Sequence, residues 1–239
     1  MGKLGYKNIL IDFDDTIVDF YDAEEWAFHY MANVFNHKAT KDDFLTFKKI
    51  NHQHWEAFQQ NKLTKSEVLS ERFVNYFKHH QMEVDGHRAD VLFRNGLAEA
   101  KVKYFDQTLE TIVELSKRHD LYIVTNGVTE TQKRRLNQTP LHKYIKKIFI
   151  SEETGYQKPN PEFFNYVFND IGEDERQHSI IVGDSLTSDI LGGINAGIAT
   201  CWFNFRGFDH NPGIIPDYEI NSWKQIGRAS CRERVCQYV

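Results

Sequence analysis

The chain has 239 residues, 41% hydrophobic and 26% charged, which suits one large domain or a domain with an insert and excludes a disordered or fibrous class. Its 29 Lys and Arg against 34 Asp and Glu give a net charge of −5, and without a basic block this argues against a nucleic-acid polymer as partner. No apolar run approaches the roughly 20 residues that cross a bilayer, and the opening residues lack a charged-then-apolar leader, so a cytoplasmic protein without a membrane partner is expected.

The first predicted element is Ile9-Leu10-Ile11, a short β-branched run read as a buried strand leading into Asp12-Phe13-Asp14-Asp15-Thr16. From about Phe20 to about Gly96 there are only helical periods. Trp26, Tyr30 and Val34 make one, Phe44, Phe47, His54, Trp55 and Phe58 a second, and Leu69, Phe73, Tyr76 and Phe77 a third. Phe105, Leu109, Ile112 and Leu115 then share a helical face behind an N-cap expected at Asp106. Leu121-Tyr122-Ile123-Val124 reads as a strand ending in Thr125-Asn126-Gly127, and Ile148-Phe149-Ile150 as one ending in Ser151-Glu152. Asn160-Pro161-Glu162 opens a helix with Phe163, Phe164, Val167, Phe168 and Ile171 on one face. Ser179-Ile180-Ile181-Val182 runs into Gly183-Asp184-Ser185, and Ala199–Phe203 is the last predicted strand.

Strands alternating with helices imply βαβ units, hence an α/β fold with a doubly wound parallel sheet. Ligands of such sheets bind beyond the carboxyl ends of the strands, so the polar strand ends are expected to meet in one crevice. The all-helical stretch reads as an inserted cap domain over that crevice. The expected division is a core of residues 1–18 and 98–226 and a cap of residues 19–97. After Ile226 the sequence changes character abruptly, and residues 227–239, with Cys231 and Cys236, read as a cloning-vector tail. Cys201, in an apolar strand, is read as buried and inert.

Asp12 and Asp14 stand two apart at a strand end, a spacing that turns both side chains to one face, and Asp15 adds a third carboxylate. Such crowding needs a hard cation or a raised pKa. Taken singly this segment also fits an Asp-rich turn, the lesser of the two readings, and Gly183-Asp184-Ser185-Leu186-Thr187-Ser188-Asp189 also fits an exposed turn with a helix cap at Ser185. Two acidic strand ends in one parallel sheet make a stronger case together. Thr125, Asn126 and Gly127 offer a hydroxyl and N–H groups suited to an anion. Lys158, just before a helix start and followed by Pro159, could balance a phosphoryl group in an acidic crevice.

In this order the four segments Asp12–Thr16, Ile123–Gly127, Gln157-Lys158-Pro159 and Gly183–Asp189 resemble the haloacid dehalogenase superfamily of aspartate-nucleophile phosphohydrolases, over nearly all of residues 7–226. The insert position matches that superfamily's helical cap of the first type. Asp15, where many members have Gly, together with Thr-Asn-Gly and Gly155–Pro161, is most similar to bacterial pyrimidine nucleotide 5′-nucleotidases. The resemblance implies a Rossmann-like core and a Mg²⁺-dependent phosphatase of small phosphomonoesters. Asp12 is then the nucleophile and Asp14 the general acid and base, with Asp14 pushed up by neighbouring negative groups. Thr125 and Lys158 would hold the phosphoryl oxygens, with Asn126 and Gly127 beside them. Asp12, Asp14 through its carbonyl, Asp184 and Asp189 would serve the metal. Phe20 and Tyr21, at the hinge beside the nucleophile, are candidate substrate contacts. A sugar-phosphate or phosphoglycolate phosphatase, a phosphomutase, and a phospho-receiver signalling domain are the alternatives, and a monomer or small homo-oligomer is expected.

Other features read as plain structure. His52, His54, His79 and His80 read as exposed surface of the cap, and His52-Gln53-His54 does not set two imidazoles on one helical face. Lys133-Arg134-Arg135, after a capping-like Thr129-x-x-Gln132, reads as a solvated helix face. Most of the cap's aromatics read as its core.

Overall fold

Six strands form one parallel sheet in the order β3-β2-β1-β4-β5-β6. They are β1 (Asn8–Ile11), β2 (Asp120–Thr125), β3 (Ile145–Ile150), β4 (Ser179–Gly183), β5 (Ala199–Phe203) and β6 (Tyr218–Ile220). The computed structural model describes residues 5–229. Two compact units divide them: Phe20–Val102 is one, and the residues up to Asp19 and from Lys103 onward are the other.

In the sheet unit β1 and β4 are buried along their whole length, as expected for strands covered on both faces. The helices are α5 (Thr108–Ser116), α6 (Thr129–Asn137), the single turn α7 (Ser151–Thr154), α8 (Pro161–Ile171), α9 (Leu191–Ala196) and α10 (Trp223–Ala229); α1 to α4 belong to the helical unit. Pro161 occupies the first position of α8, whose fixed φ suits a helix start. That helix buries Phe163, Phe164, Val167 and Phe168 against Leu10, Val124, Phe149 and Ile181 of the sheet. Full burial of each such side chain contributes roughly 1.5–3 kcal/mol. β1 lies between β2 and β4, so the strand order reverses beside it and opens a crevice at its carboxyl end.

Two expectations change here. The edge strand β6 has no apolar run to announce it, being three residues long with only Ile220 buried. Helix α5 starts at Thr108 behind Gln107, not at Asp106, and Gln107 takes left-handed φ 59°. Phe105 therefore lies outside the helix, with its ring 4.3 Å from that of Phe205. Helix α10 runs to Ala229, three residues into the segment read as a vector tail. The rest of that segment, with Cys231 and Cys236, lies outside the described residues.

The helical unit contains α1 (Tyr21–Val34), α2 (Lys41–Gln59), α3 (Lys65–Lys78) and α4 (Gly86–Glu99). Capping boxes start α2 and α3: Thr40 with Asp43, and Thr64 with Glu67. Phe28, Phe44, Phe47, Phe73, Tyr76, Phe77 and Phe93 form its core. The predicted helix is present, but the stripe Trp26, Tyr30 and Val34 that marked its period is exposed. The opposite stripe, Ala23, Ala27, Phe28, Met31 and Ala32, is buried. Helices α1 and α4 meet closely on that side: a Cβ at Gly96 of α4 would lie 2.8 Å from Ala27 Cα, so residue 96 must be a glycine there.

A polar chain also crosses this core. Arg72 donates to Asn51 Oδ1 at 2.8 Å and to Asp90 Oδ1 at 2.6 Å, while Asn51 donates to Glu24 Oε1 at 2.6 Å. Lys48 and Arg94 complete it at Glu24 and Asp90. Among the described residues no helix is long and apolar enough to cross a membrane.

Candidate active site

Asp12 follows β1, and its N–H donates to Val182 O at 2.9 Å, continuing the ladder with β4. Thr125 ends β2, and Asp184 follows β4. Adjacent parallel strands thus bring Asp12, Thr125 and Asp184 to one edge of the sheet. Lys158, in the connection from α7 to α8, reaches the same edge with only 1% of its surface exposed. Its ammonium donates to Asp12 Oδ1 at 2.6 Å, Asp189 Oδ1 at 2.6 Å and Val124 O at 2.8 Å. All three protons are engaged, so contact with a phosphoryl oxygen requires one of these bonds to be exchanged.

The backbone of Lys158 is clamped by Asn126, which donates to its carbonyl and accepts from its N–H, both at 2.9 Å. Asn126 Nδ2 also donates to Ser188 Oγ at 3.3 Å. Asp189 Oδ2 accepts from Ser185 N–H at 3.1 Å. A Cβ on Gly183 would lie 2.2 Å from Asp189 Cγ, so that carboxylate needs a glycine at the end of β4. Thr16 Oγ1 donates to Asp184 Oδ1 at 3.3 Å, and Trp202 Nε1 donates to the Asp184 carbonyl at 2.8 Å.

Asp12, Asp184 and Asp189 can each bring one oxygen within 4.8 Å of the others. Burial pushes the Asp12 carboxyl up to about 8 against the pull of Lys158, with Asp189 and Asp14 adding to the rise. Burial, followed by Asp15, Asp12 and Asp189, also holds Asp184 well above the usual carboxylate range. Burial alone would lower the Lys158 ammonium, but Asp12 and Asp189 hold it above the ordinary lysine value. Three clustered carboxylates with one ammonium make an all-oxygen donor set with surplus negative charge, and these residues fit a hard divalent cation.

Asp14 is held from an unexpected side. Arg135 Nη1 donates to its Oδ1, and Gln132 Nε2 donates to its Oδ2 at 2.8 Å. Gln132 also donates to Thr125 Oγ1 at 2.8 Å, where Gly127 N–H donates at 3.2 Å. The Thr125 oxygen thus accepts twice and keeps its own proton to donate. These contacts correct two expectations. Gln132 is not a capping residue, since α6 has no side-chain cap, and Arg135 is not solvated but 2% exposed. Gln132 and Arg135 are three apart, hence on one face of the helix that follows Thr125-Asn126-Gly127, and that spacing is the sequence signal for them. Three adjacent cations hide which one turns inward.

Asp15 takes left-handed φ 57°, the region that favours glycine, and pairs with Arg206 Nη2 at 3.0 Å. Phe20 and Tyr21 belong to the helical unit. Phe20 precedes α1 and accepts from Glu24 N–H at 2.8 Å, and the Tyr21 ring stands edge-on to Phe44 with centroids 5.2 Å apart.

The family model for haloacid dehalogenase-like hydrolases matches residues 9–203. The chain is 42% identical to HAD-hydrolase YfnB of Bacillus subtilis over 92% of this chain and 94% of that protein. It is 32% identical to pyrimidine 5′-nucleotidase PynA of Streptococcus pneumoniae, over 92% of this chain and 93% of that one. A crystal structure of YfnB bound to magnesium superposes with a TM-score of 0.90 at 41% identity, covering 95% of this chain and 99% of that one. The L-2-haloacid dehalogenase RSc1362 shares the fold at a TM-score of 0.77 and 12% identity, over 95% of this chain and 100% of that one. With the match running from β1 to the end of β5 and taking in the acidic strand ends, the chain belongs to the haloacid dehalogenase-like hydrolase family.

Proposed function

We propose that the protein is a Mg²⁺-dependent phosphatase of small phosphomonoesters, acting on nucleoside 5′-monophosphates with a pyrimidine base. The observation that carries this is the pairing of Asp12, in the buried carboxylate cluster, with a second aspartate, Asp14, whose two oxygens are held by Arg135 and Gln132. A dehalogenase has no leaving alkoxide to protonate and no use for the second carboxyl. The pyrimidine assignment draws on relatives named pyrimidine 5′-nucleotidases, PynA and the Escherichia coli protein YjjG, the latter 29% identical over 89% of this chain and 97% of that one.

Asp12, Asp184 and Asp189 would hold the cation, which supplies neutralising charge for the ionised Asp12 and the phosphoryl group. An Asp12 oxygen attacks phosphorus in line, so that an O–P bond to Asp12 forms as the ester P–O bond breaks. Asp14 gives its proton to the departing alkoxide oxygen. Water then attacks the aspartyl-phosphate, Asp14 takes its proton, and the Asp12–phosphorus link breaks to release phosphate. Thr125 donates its free hydroxyl proton to a phosphoryl oxygen, while Lys158 holds Asp12 and Asp189 in place.

Phosphate release with Mg²⁺ from a panel of nucleoside monophosphates, sugar phosphates and phosphoglycolate tests this reading, with Asp12→Asn protein as the blank. Selective turnover of dUMP, dTMP or UMP that vanishes in the variant supports it. Turnover centred on sugar phosphates keeps the mechanism and removes the nucleotide assignment. No turnover of any ester by folded, metal-loaded protein overturns the phosphatase.

A further inference from the structure

The helical unit carries a cluster of metal-binding side chains that phosphate chemistry does not use. His37 lies in the connection between α1 and α2, Asp43 in the first turn of α2, and His80 two residues beyond the end of α3. Each is half-buried, and together they can bring one ligand atom apiece within 4.8 Å of one another. His80 Nε2 and Asp43 Oδ1 are 3.3 Å apart, and the two imidazole rings have centroids separated by 4.5 Å.

We propose that His37, Asp43 and His80 hold a borderline divalent transition-metal ion of the Zn²⁺ class within the helical unit. Two imidazoles and one carboxylate are a nitrogen-rich donor set, softer than the all-oxygen cluster of the sheet unit and suited to zinc rather than magnesium. Donors on a tetrahedral zinc, bound at about 2.0–2.1 Å, lie about 3.3 Å apart, which is the separation His80 and Asp43 already have.

The surroundings orient these ligands. Asp43 Oδ2 accepts from Thr40 N–H at 2.7 Å and from Thr40 Oγ1 at 2.8 Å, which leaves Oδ1 for the ion. His37 Nε2 is 2.8 Å from the Tyr76 hydroxyl, which leaves Nδ1 as the coordinating nitrogen. Such outer partners fix the tautomer and ring plane of a metal-bound histidine. Burial, and after it His80, lowers the pKa of His37 and favours the neutral imidazole that a metal requires. An ion here would tie the α1–α2 connection to the start of α2 and the end of α3, and three protein ligands leave a fourth position for water.

The test uses the full chain with Cys231→Ser and Cys236→Ser, so that thiols do not compete, stripped with EDTA and saturated with Mg²⁺ to fill the acidic cluster. Calorimetric titration with Zn²⁺ is expected to give one ion per chain, with affinity at least tenfold weaker in His37→Gln and in His80→Gln. Zn²⁺ should also raise the melting temperature of the parent but not of these variants. Far-UV circular dichroism checks their folding, and Asp43→Asn stands in for a histidine variant that fails to fold. No Zn²⁺ bound by the parent, or less than a tenfold loss in every folded variant, overturns the proposal. Neither outcome depends on the phosphatase reading.

Discussion

Arg135 and Asp14, 121 residues apart in the chain, form an ion pair in which the arginine is completely enclosed and Gln132 of the same helix holds the other carboxylate oxygen. The guanidinium also lies over the Phe13 ring, 5.1 Å from its centroid, so Asp14 is fixed from below by α6.

Arg135→Met is therefore expected to lower kcat for phosphate release by about 10- to 100-fold with little change in KM, because Asp14 loses its orientation while the substrate contacts persist. Steady-state assays across a substrate series read this directly. Unchanged kcat would show that Asp14 is positioned without its partner.

The raised Asp12 carboxyl sets a pH dependence for metal-free protein. Its folded value of about 8 exceeds the unfolded value near ~3.9, so the folded state holds this proton more tightly. That contribution is complete below about pH 4 and is lost as pH rises through about 8. Melting temperature in EDTA should accordingly fall between about pH 6 and 9, and fall less steeply in Asp12→Asn. Mg²⁺, which needs the ionised carboxylates, should bind more tightly as pH rises through the same window. A melting temperature in EDTA that climbs toward pH 9 contradicts this.

Gly183→Ala would put a methyl 2.2 Å from Asp189 Cγ. Displacing that carboxylate should cost about 1–3 kcal/mol in urea unfolding and weaken Mg²⁺ binding in parallel. Loss of stability with metal affinity intact would mean that Asp189 has no part in the cation site.

In the helical unit, Arg72→Met should destabilise the protein by about 3–5 kcal/mol, since Asp90 and Asn51 lose their buried partner. Replacing Asp90 by Leu in the same chain should recover part of that loss, as unfolding of the single and double variants will measure.

Cys201 is buried, and burial pushes its thiol up to about 12. Alkylation by iodoacetamide followed by peptide mapping should leave the Cys201 peptide unmodified in native protein and modify it in urea. Labelling of native protein at pH 8 would show that β5 opens.

The sequence by itself determined the parallel sheet, since strands buried on both faces must be continuous apolar runs and helices must alternate with them. It also determined that Asp12, Thr125 and Asp184 share one edge, because parallel strands point their carboxyl ends the same way. Tertiary structure alone decided which stripe of α1 is buried. Periodicity reveals apolar stripes, but which one is buried follows from how α1 packs in its unit, where Ala27 meets Gly96 of α4. It alone decided that Arg135, among three adjacent cations, reaches Asp14, and that His37, Asp43 and His80 converge from three separate elements. Hydrophobic burial depends on a repeating pattern that a sequence displays. A polar contact across a hundred residues depends on where the folded backbone places each group, and no local pattern encodes that.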